Sequence, residues 1–287
     1  MRLASHSSAA SRTVGARTGS AAISRRSGTR IAARGNVRRF LPIIGDRRVD
    51  QLDYSDVAEM VGQLADNGTS RETIRKSRDA LAMALDAAGI TPNPARDKRV
   101  RLPKGDAKKV RPPTAAHVAA VLRVIARFYR LVVIVLDNTG MRVGELEGLR
   151  WGDLDEPRGR WLVRGELNHT GADRWVEPSP EVMAAVASLV PREDRHADML
   201  VFPPSRPGQS LQAALRTELG RACKAAGVPH FSPHALRHRR ISLWHRQGKE
   251  WALIGARVGQ KDLATTANTY THVLLDDAEL HLAELLA

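Results

Sequence analysis

Ser232-Pro233-His234-Ala235-Leu236-Arg237-His238 and, about thirty residues on, Thr265-Thr266-Ala267-Asn268-Thr269-Tyr270-Thr271-His272-Val273 decide how this chain is read. Ser232 is a favoured N-cap and Pro233 a favoured first helical residue. His234 and Arg237 then stand three apart on one helix face. Both lie in the first turn, where free backbone N–H groups and the helix dipole favour an anion. Leu236 and Leu243 face elsewhere and anchor the helix in a core. Tyr is scarce, three in the whole chain. A Tyr downstream of a His/Arg pair at an anion site points to phosphoryl transfer with Tyr as nucleophile. The plainer alternative makes Arg237 a surface charge and His234 a capping residue. His234 and His238 also have the spacing of half a metal site, but no acidic or Cys partner lies nearby in sequence, and no metal or cofactor is expected.

Composition narrows the partner. The chain has 287 residues, a net charge of +14 and a pI of about 10.8, which suggests a polyanionic partner: nucleic acid or an anionic membrane surface. Residues 1–112 carry 23 Lys and Arg against 11 Asp and Glu, whereas residues 113–287 carry 22 against 20. The front of the chain therefore holds the electrostatic footprint. No apolar run is long enough to span a bilayer. The single Cys223 forms no internal disulfide, fits a reducing cytoplasm and reads as a packing residue. A cytoplasmic location is expected.

Organisation follows from periodicity. Residues 1–36 are rich in Ser, Ala, Gly and Arg, contain no Asp or Glu, and read as a disordered basic arm; the composition is also that of a transit peptide or a spurious extension. Residues 37–95 read as a small helical domain. Val57, Met60, Val61 and Leu64 follow i, i+3, i+4, i+7, and Asn67-Gly68 ends that helix. Ser70 caps a second helix with Ile74, Leu81, Leu85 and Ala88 inward and Gly89 at its end. Arg71, Arg75 and Arg78, with Lys76 beside them, line another face and either track phosphates or form a solvated stripe. Residues 96–113 form a basic, Pro-containing linker in which Arg99 and Arg101 are further candidates for binding phosphates. Residues 114–287 form the larger domain. Thr114 caps a helix with Val118, Val121, Leu122 and Ile125 inward; an apolar helix runs over Phe128–Asp137; and another spans Met141–Leu149. Strands are predicted at Arg160–Arg164 and Arg174–Glu177 around the turn His169-Thr170-Gly171-Ala172-Asp173.

Four blocks, in order, resemble the tyrosine recombinases, also called phage integrases. They are Thr139-Gly140-Met141-Arg142-Val143-Gly144-Glu145-Leu146 with Leu149-Arg150-Trp151-Gly152-Asp153-Leu154; His169-Thr170-Gly171 with Arg174-Trp175-Val176; His234-Ala235-Leu236-Arg237-His238; and Val258-Gly259-Gln260 through Thr269-Tyr270-Thr271-His272-Val273. The similarity spans about residues 113–275. It implies a mainly α fold with a small β-hairpin or sheet: a helical core-binding domain plus a mixed α/β catalytic domain of tyrosine-recombinase type. It also implies a site-specific recombinase that cuts and rejoins double-stranded DNA through a 3′-phosphotyrosine, without metal or ATP. By match of motif Tyr270 is the nucleophile, and Arg142 and Arg237 clamp the non-bridging oxygens. His234 is the general acid/base or a phosphate donor, and Glu145 orients the site, unless it forms only an ordinary helix salt bridge.

Two positions depart from the pattern. His169 stands where the family has Lys as acid for the 5′-oxygen, and Gln260 where it often has His or Trp. An imidazolium still donates a proton, with a sharper pH dependence, and Gln still donates a hydrogen bond. These departures keep two rivals in view: a DNA-binding relic that does not cut, and a type IB topoisomerase-like enzyme. The resemblance further implies a homotetramer on two DNA sites, with an accessory bending or directionality protein as a possible partner. Leu280, Leu282, Leu285 and Leu286 pack either on a neighbouring protomer or on the chain's own core.

Overall fold

The computed structural model describes residues 27–105, 112–168, 171–204, 206, 208–260 and 278–286. The chain divides into two compact units, residues 1–108 and 109–287, each with its own apolar core.

The first unit packs three helices: α1 (Ser27–Ile44), α2 (Tyr54–Asp66) and α3 (Arg71–Ala87). Asp53 caps α2, accepting from the Ser55 and Asp56 backbone N–H groups at 2.7 and 3.1 Å, and Asp56 returns the bond to the Asp53 N–H at 3.0 Å. Ser70 caps α3 through the Thr73 N–H at 3.3 Å. The expected stripes, Val57, Met60, Val61 and Leu64 on α2 and Ile74, Leu81 and Leu85 on α3, are buried against Phe40 and Ile44 of α1.

Two boundaries differ from expectation. Helix α1 begins at Ser27, inside the segment read as a disordered arm. Only its second half has helical apolar spacing, at Val37, Phe40, Leu41 and Ile44, so periodicity placed the boundary ten residues late. The segment read as linker also starts too early, because Val100 and Leu102 pack into the first core. Charged neighbours mask these isolated apolar residues in the sequence.

The second unit is mainly helical around one three-stranded antiparallel sheet. Among its described residues the helices are α4 (Ala115–Val124), α5 (Arg127–Thr139), α6 (Val143–Glu147), α7 (Pro180–Ala187), α8 (Leu211–Ala225), α9 (Pro233–Arg246), α10 (Trp251–Val258) and α11 (Leu282–Leu286). The strands β1 (Leu154–Asp155), β2 (Arg160–Val163) and β3 (Arg174–Val176) pair in sequence order. Register sets Trp161 opposite Val176, Leu162 opposite Trp175 and Val163 opposite Arg174. Trp161, Val163 and Val176 face the core, so the pleat turns Arg174 inward with them and leaves Trp175 outside under the Arg160 guanidinium, 4.0 Å from the ring centre. Helix α6 is shorter than the expected Met141–Leu149. Gly148 closes it where Leu167 approaches so nearly that a Cβ would lie 2.4 Å from Leu167 Cδ2.

Helix α9 packs along α5, and its inner residues Leu236, Ile241 and Leu243 are buried. The junction is charged as well as apolar. Arg239 and Asp137, both side chains almost wholly buried, form a two-oxygen ion pair at 2.9 and 2.7 Å. Arg240 forks Glu279 at 2.7 and 2.8 Å, which ties the segment leading into α11 to the same helix. Within the single chain Leu280, Leu282, Leu285 and Leu286 pack, partly buried, against the unit's own core.

Candidate active site

The first turn of α6 and the first turn of α9 meet at a cleft of about 350 Å³, lined by Arg142, Gly144, Glu145 and His234 and, from α8, by Gln212 and Arg216. Arg142 precedes α6 in extended backbone, and the Glu145 carboxylate accepts from its N–H at 2.8 Å. That cap folds Glu145 back beneath the Arg142 guanidinium, which donates Nη1 to Oε1 at 2.8 Å. Glu147, on the same short helix, accepts from the Leu211 N–H at 2.8 Å and so pins the start of α8 to the wall of the cleft.

Glu145 is fully buried and still ionised. Burial works to raise its carboxyl pKa, but the Arg174 hydrogen bonds and charge, together with the Arg142 backbone and side chain, outweigh it and hold the group below the usual carboxylate range. Arg174 stands in the second motif block, where the resemblance gives it no role. It donates Nη1 and Nη2 to the two Glu145 oxygens at 3.1 and 2.6 Å and Nε to the Arg257 carbonyl at 3.0 Å. The available signal was its place two residues before Val176 on a strand, which shares a face with a core residue.

Three guanidiniums converge on the C-terminal end of α10. Arg237, 2 % exposed, donates Nη1 to the Gly140 carbonyl at 2.7 Å and Nη2 to the Val258 carbonyl at 2.6 Å. Arg142 reaches the same Val258 carbonyl at 3.4 Å and that of Gly259 at 3.5 Å. The partial negative charge of a helix C-terminus offsets clustered cations. Gly259 has φ +64°, and a Cβ there would meet the Arg174 guanidinium at 3.1–3.2 Å, so both backbone and space call for glycine. Gln260 follows directly, its N–H bonded to the Gly255 carbonyl at 2.9 Å.

His234 is exposed at the cleft and meets His238 edge to face, ring centres 4.5 Å apart. Desolvation by the surrounding protein, then the Arg237 and Arg142 charges, pull the His234 pKa below its ordinary value. The imidazole is therefore neutral near pH 7 and able to accept a proton. Thus Arg142, Glu145 and His234 stand together at the cleft, with Arg237 sharing an acceptor with Arg142 behind them. Tyr270 and His169 lie outside the described residues. The hairpin flanks of His169 are held by buried Asn168, which donates to the Ala172 carbonyl at 2.9 Å and accepts from the Gly171 N–H at 3.0 Å.

Of the six basic residues predicted to meet phosphates, Arg75, Lys76, Arg78 and Arg99 are paired with carboxylates. Arg75 binds Glu72 at 2.7 Å and Asp79 at 2.8 Å; Lys76 lies 3.4 Å from Glu72; and Arg78 binds Asp79 at 3.0 Å. Arg99 pairs with Asp97 at 2.7 Å and covers the Tyr54 ring, while Arg71 donates to the Pro103 carbonyl at 3.1 Å. Arg101 is exposed. Glu72 and Asp79, threaded through the stripe on α3, offset its positive charge locally.

Residues 117–276 match the phage integrase family. The chain belongs to that family, the tyrosine recombinases. Tyrosine recombinase XerA of Thermococcus kodakarensis is 28 % identical over 243 residues, covering 84 % of this chain and 83 % of the relative. The Tn1549 transposon integrase, solved in complex with transposon right-end DNA, superposes with a TM-score of 0.72 at 20 % identity, covering 87 % of this chain and 90 % of that one. A lambda integrase tetramer bound to a Holliday junction gives 0.67 at 19 % identity over 83 % of this chain and 73 % of that one. These likenesses extend the integrase fold beyond the matched family region.

Proposed function

We propose that this integrase-family enzyme cuts and rejoins DNA through Tyr270. The Tyr270 oxygen attacks a scissile phosphodiester, a 3′-phosphotyrosine forms, and the 5′-oxygen leaves. Attack of a second DNA 5′-hydroxyl on the phosphotyrosine reseals the strand and releases Tyr270. His234, neutral at the cleft, takes the Tyr270 proton, which an isolated phenol with pKa about 10 would otherwise hold. Arg142 and Arg237 stabilise the charge that develops on the non-bridging oxygens. His169 protonates the leaving 5′-oxygen, and Gln260 donates a hydrogen bond to the phosphate. Glu145 keeps Arg142 in place.

One observation carries this reading: Arg142 and Arg237 share the Val258 carbonyl beside His234, with Glu145 the carboxylate between Arg142 and Arg174. The cluster keeps excess positive charge where a phosphate would complete it. Its DNA is double-stranded and is met in the cytoplasm, on the nucleoid. Four protomers on two sites perform the exchange; tetramer and DNA in the lambda integrase structure support that assembly. An accessory DNA-bending protein fits the same scheme. Arg71, Arg75, Lys76, Arg78, Arg99 and Arg101 contact backbone phosphates, the paired ones by exchanging an exposed carboxylate for a phosphate.

The test is a nicked suicide substrate from which the cut fragment diffuses away. Wild-type protein accumulates as a covalent adduct and Tyr270→Phe, which lacks one oxygen, binds DNA without one. An adduct in the Tyr270→Phe protein overturns the nucleophile. Tight binding with no wild-type adduct leaves a DNA-binding relic, and relaxation of supercoils by a monomer indicates topoisomerase chemistry.

A further inference from the structure

Glu145 poses a problem for its own site. A buried carboxylate next to a lone guanidinium draws it into a two-bond fork, the strongest geometry open to the pair. Such a fork would turn Arg142 towards Glu145 and away from a phosphate. The structure has a different division. Arg174 occupies both Glu145 oxygens, at 3.1 and 2.6 Å, while the Arg142 side chain makes one bond to Glu145, at 2.8 Å. Arg174 is only 9 % exposed and Arg142 25 % exposed, so the inner guanidinium holds the carboxylate and the outer one borders the cleft. Strand register delivers Arg174 from the inward face of β3, and its Nε bond to the Arg257 carbonyl fixes the third edge of its guanidinium.

We propose that Arg174 is a positioning residue for DNA cleavage: by occupying the Glu145 carboxylate it leaves the Arg142 guanidinium available to the scissile phosphate. The inference rests on the assignment of Arg142 as a phosphate clamp. Arg174 touches no substrate. Its removal frees Glu145 to capture Arg142, and the loss is one of clamp geometry. A misplacement of about 1 Å in such a group costs up to about a hundredfold in rate.

That competition has a signature that a purely structural ion pair lacks. Arg174→Gln slows single-turnover cleavage of the nicked substrate by about tenfold to a hundredfold, with DNA affinity within about twofold of wild type, because few phosphate contacts change. Adding Glu145→Gln removes the captor, so the double variant cleaves faster than Arg174→Gln alone. A structural pair predicts the opposite, since the second substitution deletes more of the same network. Should Arg174→Gln fail to fold, Arg174→Lys serves in its place: it keeps the charge but lacks the planar fork, and Glu145→Gln relieves it too. Thermal melting of every variant, run alongside, confirms that the assays are made on folded protein. A double variant no faster than its Arg174 single variant, or an Arg174→Lys enzyme with wild-type cleavage, overturns the proposal. Absence of an adduct from wild-type protein instead overturns the Tyr270 reading on which it rests.

Discussion

Arg237 shows how far a residue's chemistry depends on what surrounds it. In sequence it is the second cation of a helix turn; in the fold it is buried, with its guanidinium oriented by the Gly140 and Val258 carbonyls. Two fixed acceptors orient a planar group in a way an ammonium cannot reproduce. Arg142→Ala and Arg237→Ala should each slow cleavage by about two or more orders of magnitude, and Lys at either position should rescue poorly. Wild-type rates in the Lys variants, measured by single-turnover cleavage, would remove the fork from the mechanism. His238 carries a second residue-level consequence. Burial, then the His234 and Arg237 charges, lower its pKa from 6.5 to about 4. Between those values the unfolded chain binds a proton that the folded chain refuses. Stability from this group is therefore full above about pH 6.5 and declines as pH falls towards 4. Denaturant midpoints should drop across that window, and His238→Asn should flatten the drop; an equally steep decline in the variant would place the titration elsewhere.

Among the elements, the α5–α9 junction holds together the pieces of the site. Helix α5 ends at Gly140, whose carbonyl receives Arg237, and Asp137 one turn earlier receives Arg239. Both partners of the Arg239–Asp137 pair are buried, so removing one leaves an uncompensated charge in a dry place. Asp137→Ala should destabilise the second unit by about 3–5 kcal/mol, read as a melting midpoint lower by on the order of 10 °C. A shift of only a degree or two would mean that water reaches Arg239. Neither Asp137 nor Arg239 advertised itself in the sequence, since each looks like one more charge on a helix and they stand 102 residues apart. The apolar stripes of α2, α3 and α4 were legible because amphipathic spacing is a local property. The inward turn of Arg174 required the register of β2 against β3, which only pairing sets.

For the whole molecule the question is where DNA affinity resides. Residues 1–108 hold 21 Lys and Arg against 11 Asp and Glu, yet many of the cations described there are already paired with carboxylates. Exposed pairs contribute little to stability and exchange readily with a phosphate. Each phosphate neutralised adds about 0.9 to the magnitude of the slope of log affinity against log salt. Removing residues 1–108 leaves the second unit with its own core and should take away most of that slope. A slope unchanged in a fluorescence-anisotropy titration would assign the electrostatics to the second unit.

Residue chemistry, short-range spacing and the motif blocks behind the family resemblance sufficed for the family, and pointed to a helical front, a mixed back and the residues Arg142, Glu145, His234 and Arg237. Motif blocks, caps and apolar periods are all written within a few residues of one another, and a reader of the chain sees them directly. Two matters required the folded molecule. The C-terminal leucines needed a core to compete for them. Arg174 needed a strand register and a carboxylate 29 residues away. In each case the deciding free energy comes from burial or pairing between distant segments, and the identity of a distant partner is not encoded in a local pattern.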